Sequence, residues 1–385
     1  MINSKAISII FILLILFSCK EKKNEAAIKT VAEKSNLLKE TTNPVIESFI
    51  KRMISEEHFK GVVLVAINDE IIHTKGYGLA QDSIRNTIDT KFHVASITKQ
   101  FTATAIMQLT EKNKLNLQES INIYLPEHYR SDKWKNVTIH HLLTHTSGIE
   151  DYAVTRDYYE VEKGFCLGNT VDGMIKEAMT KELNFPSGSK FAYSNIGFTL
   201  LGQIIENTTG KPFSIYLKEN VLLPQEMYSS FIHTTDYSIS SDEAVGYRWS
   251  EELEKHVLDD VMSLPVTQAD GNLVTTLNDF YKWTDIYVKP KNKILKDDSL
   301  KKMLTPFSKD DELGPDDLSQ MYGYGISLNE GTICHSGYIV GFRSHFIVNP
   351  IKDIRIFVFS NNVSNNPRNV STGIYKILNN TNNDP

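Results

Sequence analysis

An α+β fold, in which an antiparallel sheet flanked by helices carries an inserted, mainly helical subdomain, is what this 385-residue chain predicts. Three observations lead there. Short extended runs stand near both ends, between Gly61 and Gly78 and again between Tyr322 and Phe359. From Ile97 to Leu142 and from Val171 to Leu223, the apolar residues between those runs recur mostly at helical spacing. With 41% hydrophobic and 23% charged residues, 20 Gly and 12 Pro, the chain is globular rather than collagenous or wholly disordered. Strands at both ends and helices between them imply one sheet assembled from distant segments.

The first residues read as a targeting segment. Lys5 precedes an unbroken apolar run from Ala6 to Phe17, too short to span a bilayer, followed by Ser18 and Cys19. The ending Leu16-Phe17-Ser18-Cys19 resembles a bacterial lipobox, in which Cys19 is lipidated and becomes the first mature residue. The alternative is an ordinary secretory signal with an incidental Cys. On the lipobox reading, 1–18 is a lipoprotein signal peptide and the domain is held to the membrane of a bacterial cell envelope through its lipid anchor only. Residues 19–42 are polar and lack periodicity, which reads as a tether. The folded domain then covers 43–380, with a sheet-bearing part at 43–95 and 320–380 and the helical insertion at roughly 96–319.

Within the domain the elements follow in order. Asn43 stands where it can cap a helix from Pro44 to Ile54. Gly61 to Ile67 is a buried strand that Asn68-Asp69 turns back into Ile71 to Gly78. Helical spacing then dominates, interrupted near Asn136 and Asp151. Strands return at Tyr322–Asn329, Gly331–His335, Phe342–Val348 and Ile354–Phe359, before a helical tail near Val370–Leu378.

The formal charge of −6 is that of a weakly acidic protein. No Lys/Arg run supplies the basic face that nucleic acid needs. After loss of residues 1–18, Cys166 and Cys334 remain as thiols; export permits a disulfide between them, and local burial is the default.

Candidate chemistry begins at Ser96-Ile97-Thr98-Lys99. Residues three apart share a helix face, so Lys99 would bring its amine beside the Ser96 hydroxyl and act on it as a base. The pattern is cheap, since Ser48, Ser187 and Ser299 also have a Lys three residues on. Ser96 is distinguished by the apolar residues before and after it. Tyr193-Ser194-Asn195 falls in a turn before a helix; a Tyr can pass a proton, and an Asn can hold Lys99 and donate to a carbonyl. His335-Ser336-Gly337 ends a strand, where Gly lets a substrate backbone lie along the sheet edge. Each alone is more often structural than catalytic.

Together, in this order, the three motifs resemble those of the serine β-lactamase-like superfamily, which includes class C β-lactamases, DD-peptidases, D-amino-acid peptidases and related esterases. Tyr193 and His335 follow Ser96 by 97 and 239 positions, within the family's range. Val137–Gly148 and Ala269–Thr276 support the likeness, which covers roughly Pro44 to Leu378. It implies a β-lactamase/transpeptidase-like fold and a Ser96 acyl-enzyme formed with Lys99 and Tyr193. Asn195 would position Lys99 and the carbonyl, backbone N–H groups of Ser96 and Tyr338 would hold the oxyanion, and Ser336 and Gly337 would bind substrate. It implies no cofactor. His141 and His145 have the spacing of a metal pair, but two ligands are too few and the family has this segment without a metal.

The third motif departs from the Lys-Thr-Gly of many β-lactamases. An unperturbed His is mostly neutral at pH 7, which puts strong β-lactamase activity in doubt and predicts activity that varies through His335 between about pH 5.5 and 7.5. Arg343 and Arg368 are candidates to anchor a substrate carboxylate or are surface ion-pair residues. Loops at Glu150–Thr170 and Ser229–Gln268 are expected around the cleft. The sequence therefore reads as a serine hydrolase of small-molecule or peptide substrates, among them peptidoglycan fragments and β-lactams. A DD-peptidase-like or D-amino-acid peptidase leads; the alternatives are a small-molecule esterase or weak β-lactamase, and a non-catalytic binder of the same fold.

Overall fold

The structure, a computed structural model, describes residues 38–152, 170–234, 239–259, 268–289, 293–313, 317–329 and 331–381. The signal segment, Cys19, nearly all of the tether, Cys166 and parts of both expected cleft loops lie outside the described residues.

Helix α1 (Pro44–Glu57) starts where the Asn43 side chain accepts from the N–H groups of Val45 and Ile46. Strands β1 (Gly61–Ile67) and β2 (Glu70–Tyr77) follow, and Asn68 and Asp69 turn between them with φ of 51° and 62°. Two positive φ values match the turn to the right-handed twist of its strands. Next come β3 (Leu79–Gln81), β4 (Ile84–Arg85), β5 (Phe92–His93), a 3₁₀ turn (Ala95–Thr98) and α2 (Lys99–Glu111). After three single 3₁₀ turns the chain forms α3 (Ile139–Leu143), α4 (Val171–Thr180), α5 (Asn195–Thr209) and α6 (Phe213–Leu217). Then follow β6 (Phe231–Ile232), β7 (Tyr247–Ser250), β8 (Lys255–Leu258), α7 (Gln268–Gly271), β9 (Leu273–Thr275), α8 (Leu277–Val288) and α9 (Asp297–Met303). The last third contains β10 (Ser308–Lys309), β11 (Met321–Tyr322), β12 (Ser327–Asn329), β13 (Thr332–Ile339), β14 (Phe342–Asn349), β15 (Ile354–Ser360) and α10 (Pro367–Thr381).

The main sheet is antiparallel throughout, in the order β10-β11-β12-β13-β14-β15-β1-β2. The two chain ends meet where β1 pairs β15, Gly61 opposite Ser360 and Ile67 opposite Ile354. Both faces of the central strands are covered. Val63, Val65, Ile356 and Val358 pack under Ile46 and Ile50 of α1 and Val370 and Ile374 of α10. On the other face Phe280 of α8 meets the rings of Phe346, Phe357 and Phe359. That double cover is why β1 and β15 read as continuous apolar runs rather than alternating ones.

Two boundaries differ from those read in the sequence. The sheet reaches back to Ser308, and the segment after Ser96 carries strands of its own, with β9 pairing both β5 and β6. The expected strand Tyr322–Asn329 is two short strands around Gly325, whose φ is 69° and whose added Cβ would lie 2.6 Å from the Lys99 carbonyl oxygen. Only a residue without a side chain allows that approach, and the break brings Gly325 itself against the start of α2.

Candidate active site

Ser96 occupies a turn held from two sides. Val94 N–H donates to Leu273 O at 3.0 Å, and Leu273 N–H donates to Thr98 Oγ1 at 3.0 Å, so β9 grips both ends of the turn. From β14, the Ser344 hydroxyl donates to Val94 O at 2.8 Å. Ala95 has φ of 48°, a left-handed conformation that costs a non-Gly residue energy and persists only under such constraint.

Lys99 opens α2 and is 0% exposed. Its Nζ lies 3.0 Å from Ser96 Oγ, 2.8 Å from Asn195 Oδ1 and 2.8 Å from the Asp270 carbonyl oxygen. Three acceptors match the three donors of an ammonium, so burial leaves none unsatisfied. The Ser96-Lys99 spacing is thus realised as contact. The other Ser-x-x-Lys matches stand elsewhere, two of them on α1 and α9.

Asn195 is the first residue of α5. Its Nδ2 donates to Asp151 Oδ2 at 2.9 Å, while Asp151 Oδ1 accepts from the N–H groups of Asn195 at 2.8 Å and Ile196 at 3.0 Å. Asp151 therefore caps α5 and turns the Asn195 carbonyl toward Lys99. Burial raises the Asp151 carboxyl above its ordinary range, against the opposing pull of these donors and of Lys99. Tyr193 is 37% exposed, and its ring lies 4.2 Å from that of His145 and 5.0 Å from Lys99 Nζ. Its hydroxyl bonds none of the described residues, so the Tyr193-Ser96 link is one of proximity in the cleft rather than a formed hydrogen bond.

His335 lies on β13, which continues through the third motif to Ile339 instead of ending at His335. Its Nδ1 donates to Ser336 O at 2.6 Å, and its Nε2 accepts from the Tyr322 hydroxyl at 2.9 Å. Burial, followed by the charge of Lys99, pushes it down to about 4. The expectation of a titration between pH 5.5 and 7.5 is therefore corrected: a ring 4% exposed is too poorly solvated to hold a proton there. β12 pairs β13 only from Thr332 to Cys334, which leaves the edge beyond without a pairing strand among the described residues. A Cβ on Gly337 would lie 2.2 Å from Val94 O, so this glycine is what lets β13 run against the Ser96 turn.

Ser96, Tyr193, Asn195, His335, Ser336, Gly337 and Tyr338 open into one cleft of about 350 Å³. Arg368 also lines it, bonded to Asp317; Arg343 instead lies 4.9 Å over the exposed Tyr338 ring. His141 and His145 serve separate turns. The first accepts from Thr138 N–H at 3.2 Å in a reciprocal cap of α3, and the second accepts from Ser194 N–H at 3.1 Å beneath the Tyr193 turn. Cys334 is buried, donates to Leu318 O at 3.0 Å, and has its thiol pushed up to about 12.

Sequence reasoning missed Asp151, Tyr152, Asp270 and Tyr322. Asp151 and Tyr152 closely follow the motif-like run ending at Gly148, and Asp270 stood inside the Ala269–Thr276 segment, but nothing in spacing alone aims a carboxylate. Asp310, Leu313 and Ser319, from the β10–β11 connection, also line the cleft, a rim segment that the sequence did not single out.

The sequence model of the family described as Beta-lactamase matches residues 46–379. Over 365 residues the chain is 29% identical to the putative penicillin-binding protein PbpX of Bacillus subtilis (strain 168), an alignment spanning 93% of this chain and 82% of that protein. It is 27% identical over 327 residues to Protein flp of Staphylococcus aureus (strain MW2), covering 82% of this chain and 62% of flp. Among solved structures, the octameric penicillin-binding protein homologue from Pyrococcus abyssi superposes with a TM-score of 0.75 at 27% identity, over 86% of this chain and 76% of that one.

Proposed function

The chain belongs to the beta-lactamase family, and from that membership and the geometry of its cleft we propose that it is a serine hydrolase acylated on Ser96 by an amide or ester carbonyl. The observation that carries this reading is the buried Lys99 Nζ, 3.0 Å from Ser96 Oγ at the floor of an open cleft. As a neutral amine, Lys99 takes the hydroxyl proton while Ser96 Oγ bonds to the carbonyl carbon. The N–H groups of Ser96 and Tyr338 receive the developing oxyanion, a contribution in which one donor is worth about 3 to 4 kcal/mol. Tyr193, beside Lys99, passes the proton to the leaving amine or alcohol, and water then releases the acyl group by the reverse path.

Peptides and small molecules bearing a D-amino-acid amide, as in cell-wall fragments, are the substrates this reading favours; its support is the likeness to proteins named for binding penicillin. A lipid on Cys19 would hold the domain at the cell envelope. A second reading, a small-molecule esterase, draws on two observations: His335 is neutral at pH 7, and Arg368 is occupied by Asp317. Both weaken the hold on a substrate carboxylate, which an ester does not need.

Intact-mass spectrometry after exposure to a fluorescent penicillin and to an activated ester, with Ser96→Ala as control, separates the two. A lasting penicilloyl adduct on Ser96 supports the peptidase; ester turnover without an adduct supports the esterase. If a fluorophosphonate also leaves Ser96 unlabelled, catalysis by this serine is excluded.

A further inference from the structure

Behind Lys99 lies a carboxylate that the acylation chemistry leaves unused. Asp270, in α7, is 2% exposed. Its backbone carbonyl accepts from Lys99 Nζ at 2.8 Å, its Oδ2 accepts from the Tyr152 hydroxyl, and Oδ1 has no hydrogen-bond partner among the described residues. Any residue at 270 would supply the carbonyl, so the carboxylate needs its own account. Burying an acid with so few donors is costly and favours its neutral form. Burial pushes Asp270 up to about 7, Lys99 and the Tyr152 bond work against that rise, and the nearby Asp151 adds to it.

The groups facing this carboxylate come from several elements. α2 supplies Lys99, and the segment after α3 supplies Asp151 and Tyr152. On α5, Glu206 shares a groove with Gln268 and Ala269 but is held by Gln203 Nε2 at 2.9 Å and Phe213 N–H at 2.8 Å. Lys99 is the one cation in this set, and the buried Asp270 and the half-buried Asp151 compete for its charge.

We propose that Asp270 is a positioning residue for acylation: its carbonyl fixes the Lys99 amine beside Ser96, and the charge of its carboxylate sets the pH at which that amine is free of its proton. The inference rests on the reading of Ser96 as nucleophile and Lys99 as its base. An ionised Asp270 favours the ammonium form, which cannot take the Ser96 proton. A neutral Asp270 releases that hold.

Asp270→Asn separates the two roles, because Asn keeps the carbonyl and can still accept from Tyr152. The measurement is the pH dependence, from 5.5 to 9, of the rate at which a fluorophosphonate and an activated ester acylate Ser96. The acid limb of Asp270→Asn moves to lower pH by about one unit, as for loss of an opposite charge near an amine. Tyr152→Phe, which strips the acid of its donor and so favours the neutral form, moves it the same way by less. Superimposable profiles, or a uniform loss at every pH, overturn the proposal.

A readout without turnover guards against failure of the acyl-enzyme reading itself. In carboxyl-labelled Ser96→Ala protein, with the resonance assigned by its loss in Asp270→Asn, the Asp270 midpoint rises when Lys99→Met removes the neighbouring cation. An unmoved midpoint overturns the coupling. If the midpoint moves while wild-type Ser96 takes no label at any pH, the acyl-enzyme reading fails and with it the role in acylation, although the coupling stands.

Discussion

Three acceptors surround Lys99 Nζ, each from a different part of the chain: Ser96 Oγ, Asn195 Oδ1 and the Asp270 carbonyl. The amine itself is fully buried, so losing one acceptor leaves one of its donors without a partner. Asn195→Ala also strands Asp151 Oδ2, which accepts from Asn195 Nδ2. An unsatisfied buried partner costs about 1 to 3 kcal/mol, so Ser96 labelling by a fluorophosphonate slows about ten- to a hundredfold. An unchanged rate removes Asn195 from the mechanism. His335 makes a prediction of the opposite kind. With its ring at about 4 and both nitrogens bonded, it carries no charge change between pH 5.5 and 7.5. His335→Gln therefore changes the height of the kcat/KM profile in that window and not its shape; a limb that disappears in the variant contradicts this.

At the scale of elements, the site depends on how helices begin and where strands stop. α5 begins under Asp151, whose carboxylate takes two backbone N–H groups and the Asn195 amide together. Asp151→Ala removes a helix cap worth about 1 kcal/mol and frees the Asn195 side chain to rotate. The expected result is a lower urea midpoint together with slower Ser96 labelling. A loss of stability alone would mean that Asn195 is oriented by something else. β12 stops pairing at Cys334, and Gly337 then passes within reach of Val94. The free edge of β13 and the strained Ala95 turn are two sides of one gap, and that gap is the cleft.

Across the whole molecule, burial gathers histidines that the fold keeps neutral. His73, His140 and His335 are pushed down to about 4, and His93 and His345 to about 3, in each case by burial first. In the unfolded chain each takes a proton near pH 6.5. A depressed folded value gives stability that is present above the unfolded pKa and lost as pH falls through the folded one. Asp270, raised to about 7, acts in the other sense, its contribution lost as pH rises. The raised acids Asp89, Asp151 and Asp279 side with it without outweighing five histidines. Urea unfolding should therefore show stability nearly level from pH 8 to 6.5 and falling steadily from 6.5 toward 4. Each fully coupled histidine adds about 1.4 kcal/mol per pH unit to the slope. A level curve down to pH 4.5 would show that these rings take protons while folded.

The local sequence by itself determined the α+β class, the Asn43 cap, the Asn68-Asp69 hairpin and the three motifs, because each depends on periodicity or on residues within a few positions of one another. It also made the resemblance legible, since Ser96-x-x-Lys99, Tyr193-x-Asn195 and His335-x-Gly337 keep their order and spacing. Only the tertiary structure decided what surrounds them. That Asp151 holds Asn195, that Asp270 stands behind Lys99, and that the cleft is walled by Asp310 and Leu313 are matters of distance between segments far apart in the chain. The state of His335 belongs there too. A histidine's type sets its proton affinity in water, but its loss of solvent is a property of everything packed around it.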